Sequence, residues 1–581
     1  MTFEITSINL RIKSPCVKDR ISRRKSVVEK QTWRIRLRGP LGQILEKFCT
    51  TRLAALDFDR FLEPWRNKGG SACGKDIFLW GQLLCCAIQA LPYLEDPGRL
   101  DEKIRRSVGK LMKLQEPDGA ITAFPGSRQL EGADIPGRRY VLKALLLAAS
   151  MPGADGNIKE CCIRMCDQIM SLIGPGKRSI LHCGVLGGLD SSALLEVITG
   201  VYRLTGERRF LEFARYIFSC GCSQQHDIFQ ALSKGMAPAM LANGDAVGLT
   251  DCFRGAALLG MCDSEAAELC SGLCRLYMER IAAEELSITG SGGGGSGSAP
   301  RWCGGALHQI GEECCGGTMG STAVTAACIE FFHTMTGVLA DPGAAVALAE
   351  RSFYNALQGA WDPEKCQWAP FDPAMKENSV RNKDGVEGDL YERLRGAEAL
   401  VLAPSMAFVP GAEGGVINFY EDMEAELSRK AFVQVSGSFP GSSRAEVRLR
   451  SRNPFKISLR IPEYCTGVYY CGSLLDWKNR SYLTIDRPWE LDEVLTFEFD
   501  PRLRAVNAPD NSPWQAFMRG PLVLAVDKRG AQVPEAIARV RHNGLSWVDF
   551  ASAGKLFGCG SHFNVWFRKM LPEYLRTPVE W

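Results

Sequence analysis

The spacing of the apolar residues changes once along this chain, and that change constrains the fold more than any other feature. From about residue 74 to about 360, apolar side chains recur every three or four positions in segments such as DIFLWGQLLCCAIQALPYL (76–94), DSSALLEVITGVYRLTG (190–206) and RRFLEFARYIF (208–218), punctuated by Gly and Pro. That many consecutive helices must bury their stripes against one another. The turns LTGE (204–207) and MTGV (335–338) predict repeated helical hairpins closed by glycine caps, and so an α/α toroid or barrel rather than a single bundle. After about 412 the period falls to two in AFVQVSGSF, AEVRLRS, KISLRIP, SYLTID and VLTFEFD, the pattern of an antiparallel β-sandwich.

These shifts predict four regions. Residues 1–50 carry the strand-like runs SINLRI and TWRIRLR and are expected to pack on the β part. The helical region covers 51–411, the sandwich 412–530, and an irregular or β extension ending in HFNVWF covers 531–581. The run GSGGGGSGS (290–298) has nothing to bury and reads as a flexible loop with the look of an inserted linker.

Charge and cysteine usage exclude several classes. A net charge of +3 from 69 basic and 66 acidic residues supplies no field for nucleic acid or an anionic membrane; the basic run RIKSPCVKDRISRRK reads as a solvated face. No apolar run is long enough to span a bilayer, and MTFEITSINLRIK lacks a signal-peptide core, so a cytoplasmic protein is expected. The 23 cysteines sit in apolar contexts such as LLCCAIQAL and ECCIRMC, without framework spacing, and read mostly as reduced small hydrophobes. The stretch GEECCGG (311–317) has two readings. It is either a loop leading into a helix from about Ser321, with Cys314 and Cys315 incidental, or a metal or thiol site.

Several short stretches, in order, are similar to glycoside hydrolase family 127, the β-L-arabinofuranosidase-like proteins: KDIFLWGQ, LQEPDGAI, YRLTGERRFLEFA, ERSFYNAL, SLRIPEY, MRGPLVLAVD and VDFASAG. The resemblance spans about 500 residues and implies an (α/α)6 barrel followed by an antiparallel β-sandwich. It also implies a chemistry in which a zinc-bound cysteine is the nucleophile, held by a Glu-x-Cys motif and a later Cys-Cys pair, with a glutamate acid/base. Counted from TMTG (334–337), the Glu-x-Cys positions read Thr318 and Gly320, and the later pair reads Gly388 and Asp389. The acid/base position falls near Trp302, and the pocket-histidine positions read Ser191 and Met236. A gapped alternative would place Glu312 or Glu313 with Cys314 or Cys315 on the motif. On the ungapped alignment the zinc-thiolate centre is lost, and no metal or other cofactor is expected.

A barrel of this kind keeps an axial pocket at the ends of its inner helices. The acid/base candidates there are Asp190, Asp76, Asp118 and Asp389. Asp190 is the leading one, with a helix N-cap as its structural alternative. Arg139, Tyr140, Glu196 and Glu312 are candidate polar contacts for substrate, and Trp302 and Trp368 candidate stacking walls. Three functions follow: a repurposed enzyme using acid/base or cation-stabilising chemistry in a cyclisation, elimination or isomerisation; a metal-free glycoside hydrolase with a carboxylate pair on an arabinofuranoside-like sugar; or a ligand-binding pseudoenzyme. The first is favoured. The expected partner is a small-molecule substrate, with neither nucleic acid nor membrane involved, and the sequence leaves oligomeric state open.

Overall fold

The computed structural model describes residues 34–569, apart from 295–299, 309–319, 372–389 and short stretches of the β part (412–413, 429–430, 452–454, 471, 478–479, 488, 490–492, 510, 530–532, 534–535, 543 and 556–561). Among the described residues, twelve helices of eight residues or more precede residue 401: α1 (Pro40–Lys47), α2 (Asp76–Ala90), α3 (Gly98–Met112), α4 (Asp134–Ala149), α5 (Asn157–Leu172), α6 (Leu194–Thr205), α7 (Arg208–Ser219), α8 (Ala246–Cys262), α9 (Ala267–Glu284), α10 (Thr322–Val338), α11 (Gly343–Arg351) and α12 (Leu390–Leu400). The even-numbered helices pack α2 on α4, α4 on α6, α6 on α8, α8 on α10, α10 on α12 and α12 back on α2, closing a ring. The odd-numbered helices lie outside it. This is an (α/α)6 barrel.

Burial distinguishes the two layers. In outer helix α3 the buried residues are Leu100, Ile104, Ser107, Val108 and Leu111, a single stripe. Inner α2 is buried nearly all round from Ile77 to Ala90, because one side meets the outer layer and the other the axis. Close contacts set the spacing: a Cβ on Gly81 would stand 2.4 Å from the Tyr140 carbonyl oxygen, so glycine lets α2 approach α4. Gly206, at φ +76°, ends α6 as LTGE predicts. MTGV does not end its helix: α10 runs through Gly337 to Val338 and stops where Leu339 turns extended ahead of Asp341 and Pro342. Ser321 caps α10 at the expected start, its hydroxyl accepting the Val324 N–H at 3.4 Å.

Beyond α12, a seven-stranded sheet runs in the order Arg34–Leu37, Met423–Ser428, Ala431–Ser436, Arg444–Ser451, Glu493–Phe499, Cys465–Tyr470, Ser473–Leu474. A four-stranded sheet orders Tyr482–Arg487, Phe455–Arg460, Gly414–Ile417 and Phe408–Gly411; its middle pair is parallel, the one departure from antiparallel pairing among the described strands. Burial alternates along the strands, as in Arg444–Ser451, which is the period-two signal of the sequence. From the N-terminal region, Arg34–Leu37 pairs with Met423–Ser428 of this sheet, while SINLRI lies outside the described residues. The boundary expected at 530 is displaced. Strands from Arg504–Asn507 to Phe567–Arg568 form one further sheet, in which Leu522–Asp527 pairs with Leu545–Asp549 across that position.

Three of the family-like motifs meet where barrel and sheets join. From ERSFYNAL, Glu350 accepts Arg460 Nη2 at 2.8 Å and the Tyr464 hydroxyl at 2.9 Å, both from SLRIPEY. Asn355 donates to the Pro521 carbonyl at 2.9 Å and accepts the Val523 N–H at 2.7 Å, both from MRGPLVLAVD. The Glu350, Arg460 and Asn355 side chains are buried, so these bonds also satisfy polar groups that water cannot reach.

The glycine-serine run departs most from its expected character. Gly290–Gly294 is buried between α9 and α10. Ser291 and Thr325 share a hydroxyl hydrogen bond of 2.7 Å, Gly294 and Arg301 exchange backbone bonds, and Gly292 lies against the Trp302 ring. Glycine is required because the backbone passes neighbours too closely for a side chain; residues 295–298 lie outside the described residues. At φ +80°, a Cβ on Gly290 would stand 2.8 Å from the Ser352 nitrogen. Gly290→Ala is therefore expected to cost about 2 kcal/mol in a denaturant titration. A flexible linker predicts no change.

Candidate active site at the mouth of the helical ring

All six inner helices direct polar side chains at the axis, where they bond to one another. Arg139 of α4 donates to Asp251 of α8 at 2.8 Å and to Glu196 of α6 at 2.9 Å. Arg254 of α8 pairs with Glu196 and with Glu330 of α10. Lys143 of α4 reaches Glu330 at 3.1 Å. Arg395 of α12 pairs with Glu398 and lies 3.8 Å from Glu330, and Glu398 accepts Gln82 of α2 at 3.1 Å. Burial alone would raise the Glu196 carboxyl, but Arg254, Lys143 and Arg139 hold it well below the usual carboxylate range; Arg139 and Arg254 likewise lower Asp251 against its burial. Burial pushes His333, beneath the network, down to about 4, so it is neutral at pH 7.

Toward the N-terminal ends of the inner helices the axis turns aromatic. Phe78, Tyr140 and Tyr391, from α2, α4 and α12, have ring centroids 5.3 to 6.2 Å apart. The Tyr140 and Tyr391 hydroxyls lie 3.1 Å apart. One donates to the other, so one phenolic proton of the pair is left without an acceptor among the described residues. Burial raises both phenols, with Tyr391 adding to the shift on Tyr140, so they are neutral donors rather than phenolates. Lys75 stands 5.5 Å from the Tyr391 ring centre and pairs with Glu392 at 2.7 Å.

On the opposite side of the ring, Asp245 caps α8, accepting the Gly248 N–H at 2.6 Å. Burial pushes its carboxyl up to about 6, against the Gly248 bond and with help from neighbouring Asp190 and Asp251. Asp190 holds the preceding loop: its two oxygens accept the N–H groups of Val185 (2.8 Å) and Leu186 (3.0 Å), and it does not cap its own helix.

The sequence candidates therefore divide. Arg139, Tyr140 and Glu196 converge on the axis, and Asp190 stands at its mouth beside Asp245. Asp76 is exposed in the first turn of α2. Asp118 is an exposed turn residue whose carboxylate accepts the Ala120 N–H at 3.0 Å. Both tryptophans are buried in packing rather than open to a ligand: Trp302 donates to the Tyr277 hydroxyl at 3.0 Å, and Trp368 donates to the Leu357 carbonyl at 3.1 Å and packs on Trp361 and Phe48. Asp389, Glu312, Glu313, Cys314 and Cys315 lie outside the described residues. Sequence reasoning missed Tyr391, Asp245, Asp251, Arg254, Glu330, Arg395 and Glu398. The available signal was a charge inside a helix that is otherwise apolar all round, as in DCFRGAALL and ACIEFFH, since such a charge has to find a partner at the centre.

A zinc-thiolate centre does not fit the donor set of the ungapped alignment, because Thr318, Gly320, Gly388 and Asp389 include no thiol. Among the described residues, no group of three or more His, Cys, Asp or Glu is placed to hold a metal ion. Described cysteines are free except Cys303, which is disulfide-bonded. No described helix is long and apolar enough to cross a membrane. A separate groove of about 450 Å³ lies at the far end of the ring, lined by Arg36, Tyr93, Arg99 and Lys103 among others.

Asp245 gives a pH test. Its folded carboxyl titrates near 6 against 3.8 for the unfolded chain, so between those values the folded state holds the extra proton and stability is lost as pH rises. Asp245→Asn keeps a capping side chain and removes this titration. Relative to that variant, the wild type is expected to lose about 3 kcal/mol in all from about pH 3 to about pH 7, most of it between pH 3.8 and pH 6. Parallel stability curves would place the Asp245 carboxyl at its ordinary value.

No protein-family model matches this chain, and no curated protein sequence does. Solved structures do match. A glycoside hydrolase family 127 β-L-arabinofuranosidase from Geobacillus stearothermophilus T6 superposes with a TM-score of 0.71 at 14% identity, covering 92% of this chain and 100% of that one. A second family 127 β-arabinofuranosidase gives a TM-score of 0.68, again at 14% identity, covering 92% of this chain and 96% of that one. The chain shares the fold of these enzymes, a helical barrel followed by β-sheets.

Proposed function

We propose that this protein is an enzyme that moves a proton beside a carbonyl group of a small molecule bound at the mouth of the ring, and so drives an isomerisation, elimination or cyclisation. The observation that carries this reading is the Tyr140–Tyr391 hydroxyl pair, whose unspent proton faces no acceptor among the described residues. A neutral phenol in a largely dry site stabilises negative charge as it develops on a substrate oxygen. Asp245, across the ring, is a carboxylate with a raised pKa, suited to take the proton from carbon and return it elsewhere. Asp190 tunes it through its charge and fixes the loop beside it.

The two-carboxylate hydrolase reading is less well supported. It needs one carboxylic acid held protonated and aimed at the glycosidic oxygen. Glu196 and Asp251 are instead held ionised by arginines, and Asp190 accepts two backbone N–H bonds.

Incubation in D2O with a panel of β,γ-unsaturated ketones, and in parallel with nitrophenyl arabinofuranosides, separates the readings. Deuterium is expected to enter a ketone, with rates falling about 100-fold or more in Asp245→Asn and at least about 10-fold in Tyr391→Phe. Nitrophenol release without deuterium uptake would favour the hydrolase, and neither reaction would favour a binding protein.

A further inference from the structure

The polar inventory of the mouth also constrains the ligand, on the reading that the mouth is the substrate site. We infer that this ligand is an uncharged, flat, largely apolar carbonyl compound, whose oxygen is held by the Tyr140–Tyr391 pair with Arg395 beneath.

Charge balance comes first. The four axial cations are matched by four axial carboxylates, and at the mouth Lys75 is matched by Glu392. Asp190 and Asp245 add negative charge to the opposite wall. Among the described residues, a carboxylate or phosphate on the ligand would find each axial cation already paired, and at that wall it would meet two carboxylates offset only by Arg301, which lies beside Asp245.

Hydrogen-bonding capacity comes second, and it is mostly donor capacity. Besides the spare phenolic proton, Arg395 is 2% exposed and has Nε and Nη2 without an acceptor among the described residues. It stands one turn below Tyr391 on the same helix face, so its donors lie under the phenol pair. Ser192, one turn above Glu196, is fully buried, and its hydroxyl has no partner among the described residues. Buried donors left unmatched are costly, and a carbonyl oxygen with two lone pairs answers them. A sugar, which brings a donor with every hydroxyl, would need an acceptor for each, and among the described axial groups only the Glu398 Oε1 and Gln82 Oε1 oxygens are buried without a hydrogen-bond partner.

The third observation is the apolar character of the approach. Phe78, Tyr140 and Tyr391 present ring surface. The loops leading into α6 and α8 carry Val185 (63% exposed), Leu186, Met236 and Met240 (68% exposed). Those loops are tied together at the same end of the ring, by Gln224 bonding to Leu181 and Gly187 and by His226 accepting the Ala242 N–H. Large apolar side chains around a mouth of aromatic rings suit a flat hydrophobic body.

The test uses the full chain and two fluorescent probes: acetyl-dimethylaminonaphthalene, an aryl methyl ketone, and its ethyl analogue, in which a CH2 group replaces the carbonyl. Wild type is expected to bind the ketone at least about tenfold more tightly, and Tyr391→Phe to abolish that preference without weakening the ethyl compound. Tyr140→Phe provides the same readout should Tyr391→Phe fail to fold, as judged by its melting curve. Equal affinity for the two probes in wild type, a preference that survives both substitutions, or tighter binding of the anionic anilinonaphthalene sulfonate would overturn the inference. Binding is read without turnover. A ketone preference without deuterium exchange would therefore discard the catalytic reading and keep the ligand class, and exchange without a ketone preference would do the reverse.

Discussion

Four carboxylates and four cations meet on the axis of the ring, each nearly shut off from water. An isolated ion in such a place costs several kcal/mol, and a pair recovers that cost only when the geometry is good and the remaining lone pairs and protons are used. Here the pairs form a chain of contacts. Gln82 and Arg395 converge on Glu398, Arg395 approaches Glu330, Arg254 joins Glu330 to Glu196, and Arg139 joins Glu196 to Asp251. Every inner helix contributes at least one member. An apolar centre would tolerate helix slippage or a changed neighbour order, whereas this one leaves a buried charge exposed to the cost of having no partner.

On the proposed reading, the same network decides where chemistry can occur. Arginines hold Glu196 and Asp251 ionised, which makes them poor proton donors, so on the proposed reading they serve as scaffold although they are residues a search for catalytic carboxylates would choose first. The proposed reading puts proton handling one layer above, in groups the network leaves partly unspent: two phenols sharing one hydrogen bond, and an aspartate raised by burial and by a like-charged neighbour. The network also supplies the field beneath them, with the Arg395 guanidinium opposing the burial-driven rise of both phenols.

Much of the fold was legible in the sequence because it rests on periodicity and on joints with strong local chemistry. The motifs ERSFYNAL, SLRIPEY and MRGPLVLAVD hold the contacts that fix barrel to sheets, a structural role that does not involve Thr318, Gly320, Gly388 or Asp389. The site was less legible. Arg139, Tyr140 and Glu196 could be placed at the axis, but Tyr391 is 251 residues from Tyr140, and Asp245 reads locally as an ordinary helix cap. For Asp190 the helix-cap alternative gives way to an acceptor role toward Val185 and Leu186, which depends on a loop that doubles back onto it. The glycine run shows the opposite failure. Composition alone cannot distinguish a chain that touches nothing from one that touches everything too closely for a side chain.

The most direct measurement is an electron-density map of the protein in complex with acetyl-dimethylaminonaphthalene. The account predicts the ketone at the mouth of the ring, its oxygen within about 3 Å of the Tyr140 or Tyr391 hydroxyl and its rings against Phe78. A ketone seated instead in the groove between Arg36 and Lys103, with the mouth empty, would contradict it.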